Sequence, residues 1–458
     1  MAHEATADRA FRPNRRNLLL GMGALSAGLA GAKAALADAG TAAGRPAGRE
    51  VRLEAATTVS ARRLDENVAR AFPLFNAGAV VADFDAASQG ALDDVQLYRV
   101  VTATTVPETG EVLDVTGLLA LPAGAKGELP VVSWQHGTIL SFDQVPSNLT
   151  RLADPAYELS DERDSLETLF NVHRFAARGF AVVAADYLGK GPLRNGRGEA
   201  YVVKDATVKA CTDILEAGLS ALETLNITPG KLFLHGWSQG AINTQWLHQS
   251  LRASGLAIKA TAVARPFNDA LQSWRFCSGK ENFPLPAGTT SYPEIPAWLP
   301  LCMIVLLGSY ERHYGLDGLI ECAVRPKYRV MARKYWNDYS VDFPADAPYP
   351  TATDLMVDGF MDGFTDERNS AFLRHLATNS ASWWDYDSPI RFHYGLADEA
   401  IHPEMVYRAL SAGGRFTQGI SIAGASHRAT FIAGLYGNAT SLGGSENAFD
   451  WFNELARS

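Results

Sequence analysis

Along most of the chain, short unbroken apolar runs alternate with longer stretches whose apolar residues recur every three or four positions. The runs are Pro130-Val131-Val132-Ser133-Trp134, Phe180–Ala185, Leu232–Leu234, Ala260–Ala264, Ile390–Tyr394 and Gly419–Ile422. Such runs mark strands buried on both faces. Helical patterns at Asp164–Arg178, Lys204–Leu225 and Ala241–Leu251 separate several of them. This alternation predicts an α/β fold with a mostly parallel sheet and helices on both faces. Ahead of it, Val95–Thr105 and Glu111–Leu121 flank Pro107-Glu108-Thr109-Gly110 and read as a hairpin.

The rhythm breaks once. Between Phe276 and Pro389 the chain is rich in aromatic residues, mostly helical in pattern, and fits no strand. A structureless insertion of that length is uncommon in a compact domain, so 277–388 is expected to fold as an inserted cap. The sheet domain is then expected over 95–276 and 389–458. Residues 38–94 are expected as a lead-in, Ala/Gly-rich and flexible at first.

Residues 1–37 read as an address. Asn14-Arg15-Arg16-Asn17-Leu18-Leu19-Leu20 precedes a mildly apolar stretch and a small-x-small site at Ala35-Leu36-Ala37. A basic region, an apolar region and small residues at the cut define a secretory signal. The paired arginines resemble a twin-arginine export signal, which implies a periplasmic or extracellular destination. An uncleaved N-terminal anchor is the competing reading. Loss of this segment removes five basic and two acidic residues and deepens the formal charge from -9 to -12.

Composition narrows the classes. With 458 residues, 47% of them hydrophobic and 20% charged, the chain is that of a folded protein rather than a disordered one. Its acidic balance disfavours nucleic acid as a partner. No stable membrane span is expected once the leader is gone. Cys211, Cys277, Cys302 and Cys322 are too few for a disulfide scaffold and lack paired metal spacing, which leaves one or two disulfides or free thiols open. Without H-E-x-x-H, Walker A or a complete dinucleotide fingerprint, neither metal nor cofactor is expected. The oligomeric state is not legible.

The chemistry concentrates at strand ends. Gly236-Trp237-Ser238-Gln239-Gly240 follows the run Leu232–Leu234 and precedes a helical stretch. A serine on such a turn is exposed at a helix N-terminus, where the dipole favours developing negative charge. Asp398, with Glu399 as its neighbour and competitor, follows Ile390–Tyr394. His427 follows the run ending at Ile422, and His393 and His402 lie too close to Asp398 in sequence to occupy a separate strand-end loop. Serine needs a base and the base an orienting acid, so Ser238, His427 and Asp398 are the candidate triad. Gln135-His136-Gly137-Thr138 ends the run Val131–Trp134. The amides of Thr138 and Gln239 are the candidate oxyanion donors. His136, Gly137, Tyr187, Trp237 and Arg265 are candidate substrate contacts. An internal salt bridge is the alternative for Arg265, a structural turn the alternative for Tyr187, and a turn glycine beside a core histidine the alternative for Gly137 and His136.

Together these motifs, with Asp186-Tyr187-Leu188-Gly189-Lys190-Gly191, resemble the α/β-hydrolase superfamily over roughly residues 95–455. The insertion before the acid strand is similar in layout to the helical caps of secreted lipases and esterases, including the fungal lipase A type. The resemblance implies a serine hydrolase of carboxylic esters, acting on a small-molecule or lipid-like ester through an acyl-enzyme. A serine peptidase, amidase or acyltransferase uses the same triad. A non-catalytic exported binding protein is a third reading, since fold alone does not fix function.

Overall fold

Among the described residues, nine strands form one mixed sheet, in the order β1-β2-β3-β5-β4-β6-β7-β8-β9. They are β1 (Arg52–Val59), β2 (Val95–Thr105), β3 (Val112–Pro122), β4 (Gly127–Gln135), β5 (Ala181–Ala185), β6 (Ile227–Trp237), β7 (Ala260–Ala264), β8 (Ile390–Gly395) and β9 (Thr417–Ile422). The computed structural model describes residues 50–194, 198–341, 349–361, 366–437 and 446–458. The expected leader at 1–37 and the first part of the lead-in lie outside them. Strands β5, β4, β6, β7, β8 and β9 run parallel, while β1, β2 and β3 form an antiparallel flank joined to β5.

The longer helices are α1 (Ala61–Phe75), α2 (Leu166–Arg174), α3 (Lys204–Thr224), α4 (Gln239–Ala253), α5 (Ala270–Cys277), α6 (Leu299–Tyr314), α7 (Arg329–Asp338), α8 (Glu367–Thr378), α9 (Glu404–Ala412), α10 (His427–Tyr436) and α11 (Ala448–Arg457). Strand pleating sends successive side chains to opposite faces. Val183 and Leu234 enter a core shared with α3, α4 and α6. Their neighbours Val182 and Phe233 enter the opposite core, filled by α1, α2, α10 and α11. Two buried faces explain why these strands read as unbroken apolar runs.

One expectation is corrected. Residues 52–94 are not a lead-in: β1 pairs with β2, and α1 buries Leu64, Val68, Phe72 and Phe75 beneath the sheet. Phe72 and Phe75 meet Phe170 edge-on, with centroids 6.2 and 5.0 Å away. The apolar stripe of α1 alternates with Arg62, Arg63, Glu66 and Arg70, and Ser60 caps its first turn. The charged outer face hid the buried one.

Helices α6, α7 and α8 fall in the stretch expected as a cap, between β7 and β8. Their buried residues join the same core as α3 and β5. The described residues form one compact unit.

Truncating Phe72 to Ala should therefore destabilise the protein by about 3 kcal/mol or more, as for other buried aromatic truncations. Urea unfolding measures this. A loss below about 1 kcal/mol would mean that α1 is not integral to the core.

Candidate active site

The turn from β6 into α4 is forced by two glycines. A Cβ at Gly236 would meet Thr244 Oγ1 at 2.2 Å, and one at Gly240 would meet the Gln135 carbonyl oxygen at 1.9 Å. Only hydrogen fits at either position, so strand and helix approach closely. Ser238 between them takes φ 56° and ψ -121°, a costly backbone for a non-glycine residue. Its amide donates to the Ala264 carbonyl at 2.9 Å, which fixes the turn.

Three side chains converge there. Ser238 Oγ lies 3.0 Å from His427 Nε2, and His427 Nδ1 lies 2.8 Å from Asp398 Oδ2. Asp398 Oδ1 accepts the amides of Ala400 and Ile401, each at 2.8 Å. The competitors have other partners. Glu399 accepts the backbone amide of His427 at 3.0 Å, at the start of α10, and so holds the main chain rather than the ring. His393 Nε2 faces the Glu446 carbonyl, and His402 sits among Phe276, Phe283 and Tyr292.

Arg265 takes the internal salt bridge. It is fully buried at the end of β7, its Nε donates to Asp398 Oδ2, and its Nη2 donates to the Ile401 carbonyl at 2.5 Å. Its backbone is left-handed, φ 59°, with the amide held by the His393 carbonyl at 2.9 Å. Among the described residues its Nη1 has no partner, but the side chain is fully buried and lines neither chamber at Ser238, so no substrate carboxylate reaches it. Burial, and next the positive charge of Arg265, push the His427 imidazole well below its ordinary value.

Two chambers open at Ser238. The first, about 80 Å³, is lined by apolar groups including Phe267, Trp274, Trp298, Met303 and Leu306. The second, about 240 Å³, is bounded by His427, Trp237, Gln144, Glu399 and Arg428. Thr138 borders both. Among the described residues, neither the Thr138 amide nor the Gln239 amide has a hydrogen-bond partner.

The other expected substrate contacts divide. Trp237 lines the second chamber and lies 5.0 Å from the His427 ring, centroid to centroid. His136, Gly137 and Tyr187 line neither chamber. His136 is fully buried, stacks on Tyr187 at 4.0 Å, and is pushed down to about 4 by burial. Tyr187 donates to the His136 carbonyl at 2.9 Å. Gly137 admits the Trp237 ring, which a Cβ would meet at 2.7 Å. These three shape the loop beneath the site.

Sequence reading did not find Trp298 or Met303 as residues at the site. Trp298 stood out only as one of many aromatics. All four cysteines hold free thiols, and among the described residues no His, Cys, Asp and Glu group could hold a metal.

No family model matches the chain, and no curated protein matches it in sequence. Solved structures do match in fold. A Legionella pneumophila protein classed provisionally as a hydrolase superposes with TM-score 0.66 and 16% identity, over 89% of this chain and 98% of that one. LipA from Xanthomonas oryzae, a rice cell wall degrading esterase, gives 0.63 and 18%, over 84% and 94%. Candida antarctica lipase A gives 0.53 and 14%, over 73% of each chain. The chain has the α/β-hydrolase fold, a mostly parallel sheet with an inserted helical segment.

Replacing Arg265 with Gln removes the positive charge beside Asp398 and His427. The neutral imidazole should then be lost at higher pH, so the acid limb of any His427-dependent activity moves upward. A pH profile of kcat/KM measures it. An unmoved limb would show that Arg265 does not act on the histidine.

Proposed function

We propose that the chain is an exported serine hydrolase of carboxylic esters. The observation that carries this reading is the continuous contact from Ser238 Oγ through His427 to Asp398 at the junction of two chambers. His427, neutral at working pH, takes the Ser238 proton as Oγ attacks the ester carbonyl. Asp398 holds the ring and stabilises the imidazolium. The unpartnered amides of Thr138 and Gln239 receive the oxyanion, where a preorganised donor is worth about 3 kcal/mol in the transition state.

Collapse of the tetrahedral species breaks the bond to the alcohol, and His427 returns its proton to the leaving oxygen. Water, deprotonated by His427, then cleaves the acyl-enzyme and restores Ser238. The leaving alcohol must lie within reach of His427, which assigns it to the chamber bounded by Gln144, Glu399 and Arg428. The acyl group falls to the apolar chamber, whose size and lining favour a short or medium apolar acyl chain. Met303 and Leu306, from the segment read as a cap, help to set acyl preference.

Export rests on residues 1–37. The twin-arginine-like leader would send a mature chain to the periplasm or medium. Among the described residues no helix is long and apolar enough to cross a membrane.

Ser238→Ala should lower kcat/KM for p-nitrophenyl butyrate by at least ~10³-fold and abolish labelling by a fluorophosphonate probe. Retained hydrolysis by purified, folded variant would sink the proposal.

A further inference from the structure

A fully buried ion pair sits behind the two candidate oxyanion donors. Lys190 Nζ lies 3.1 Å from Glu199 Oε2, and neither side chain reaches solvent. Burying two charges carries a desolvation cost that their attraction often fails to exceed, so an apolar pair would serve stability as well. The partners of this pair point to another role.

Both donor residues are tied by side chains to the three-residue segment 199–201. Gln239 Nε2 donates to Glu199 Oε1 at 3.1 Å, and Thr138 Oγ1 lies 3.0 Å from Tyr201 Oη. Lys190 Nζ also donates to the carbonyls of Ile139 at 3.0 Å and Ser141 at 2.7 Å, directly after Thr138. The same segment is fastened to the inserted helices. Ser309 of α6 donates to the Glu199 carbonyl and accepts the Tyr201 amide at 3.0 Å. Tyr339, at the end of α7, accepts from Lys190 at 2.7 Å and donates to Glu199 Oε2 at 3.3 Å. Helix α6 is also a wall of the apolar chamber, through Cys302, Met303 and Leu306.

We propose that Lys190, Glu199 and Tyr339 are positioning residues that set the Thr138 and Gln239 amides and lock them to the inserted helices. This rests on the serine-hydrolase reading above. None of the three reaches the reacting atoms. They act through the two donor residues: Lys190 pairs with Glu199, and Glu199 in turn holds the Gln239 side chain. A donor shifted by a fraction of an ångström loses transition-state stabilisation without losing substrate affinity.

The test uses Tyr339→Phe, which removes one hydroxyl, and the double variant Lys190→Met with Glu199→Leu, which removes both charges together. Wild type must first hydrolyse p-nitrophenyl butyrate and take up a fluorophosphonate at Ser238. Failure there defeats the serine-hydrolase reading itself. Given that activity, kcat should fall ~5-fold in Tyr339→Phe and ~50-fold in the double variant, with KM within ~2-fold of wild type. Affinity for a trifluoromethyl ketone, whose adduct places an oxyanion between the two amides, should fall in the same proportion. A folded double variant with wild-type kcat and wild-type ketone affinity overturns the proposal. Should the double variant not fold, Tyr339→Phe decides alone: an unchanged kcat and ketone affinity overturn it equally. A rise in KM at constant kcat would assign the network to substrate binding and also overturn it.

Discussion

The close approach of β6 and α4 around Ser238 is the constraint on which the site depends. Gly236 and Gly240 allow it, and the backbone at Ser238 takes the strain. That strain, of the order of 1–3 kcal/mol for such a conformation, persists only because the surroundings fix it. The Ala264 carbonyl holds the Ser238 amide, and Thr244 of α4 donates to Gln135 Oε1 across to β4. Three adjacent strands thus converge on one turn. The α/β-hydrolase topology places His427 and Asp398 beside it because β8 and β9 run parallel to β7 and end on the same edge.

The charge at that edge is arranged as unusually buried ion pairs. Asp398 is fully buried, and Arg265 pairs with it from the end of β7. Burial first, and then the guanidinium, disfavour the imidazolium, so His427 is a weaker base than an exposed histidine and stays neutral to lower pH. Breaking such a pair on one side leaves a buried, unanswered charge, which is far worse than replacing both partners.

The sequence exposed those parts of the site that backbone geometry dictates. G-x-S-x-G is legible because only glycine fits beside the serine, and the strand-end positions of Asp398 and His427 follow from apolar runs. Side-chain partnerships between distant segments left no such trace. Arg265 meets Asp398 across 133 residues, and Gln239 meets Glu199 across 40. Neither pairing imposes a spacing. Strand β1 was illegible for another reason. Its register shifts between Glu54 and Thr57, and much of it is exposed, so no clean alternation survives. Helix α1, with Pro73 inside it and charges on its outer turns, masked its buried stripe in the same way.

The inserted helices couple the apolar chamber to the stability of the fold. Residues 301–307 of α6 lie in the same core as Val183 and Leu234 of the sheet, and Cys302, Met303 and Leu306 among them also line the apolar chamber. One helix therefore closes the main core and shapes the chamber. Enlarging the chamber by truncating Met303 or Leu306 removes apolar contact from that core. The insertion is part of the fold rather than a free lid over it, and a change to its chamber-lining residues is also a change to the core.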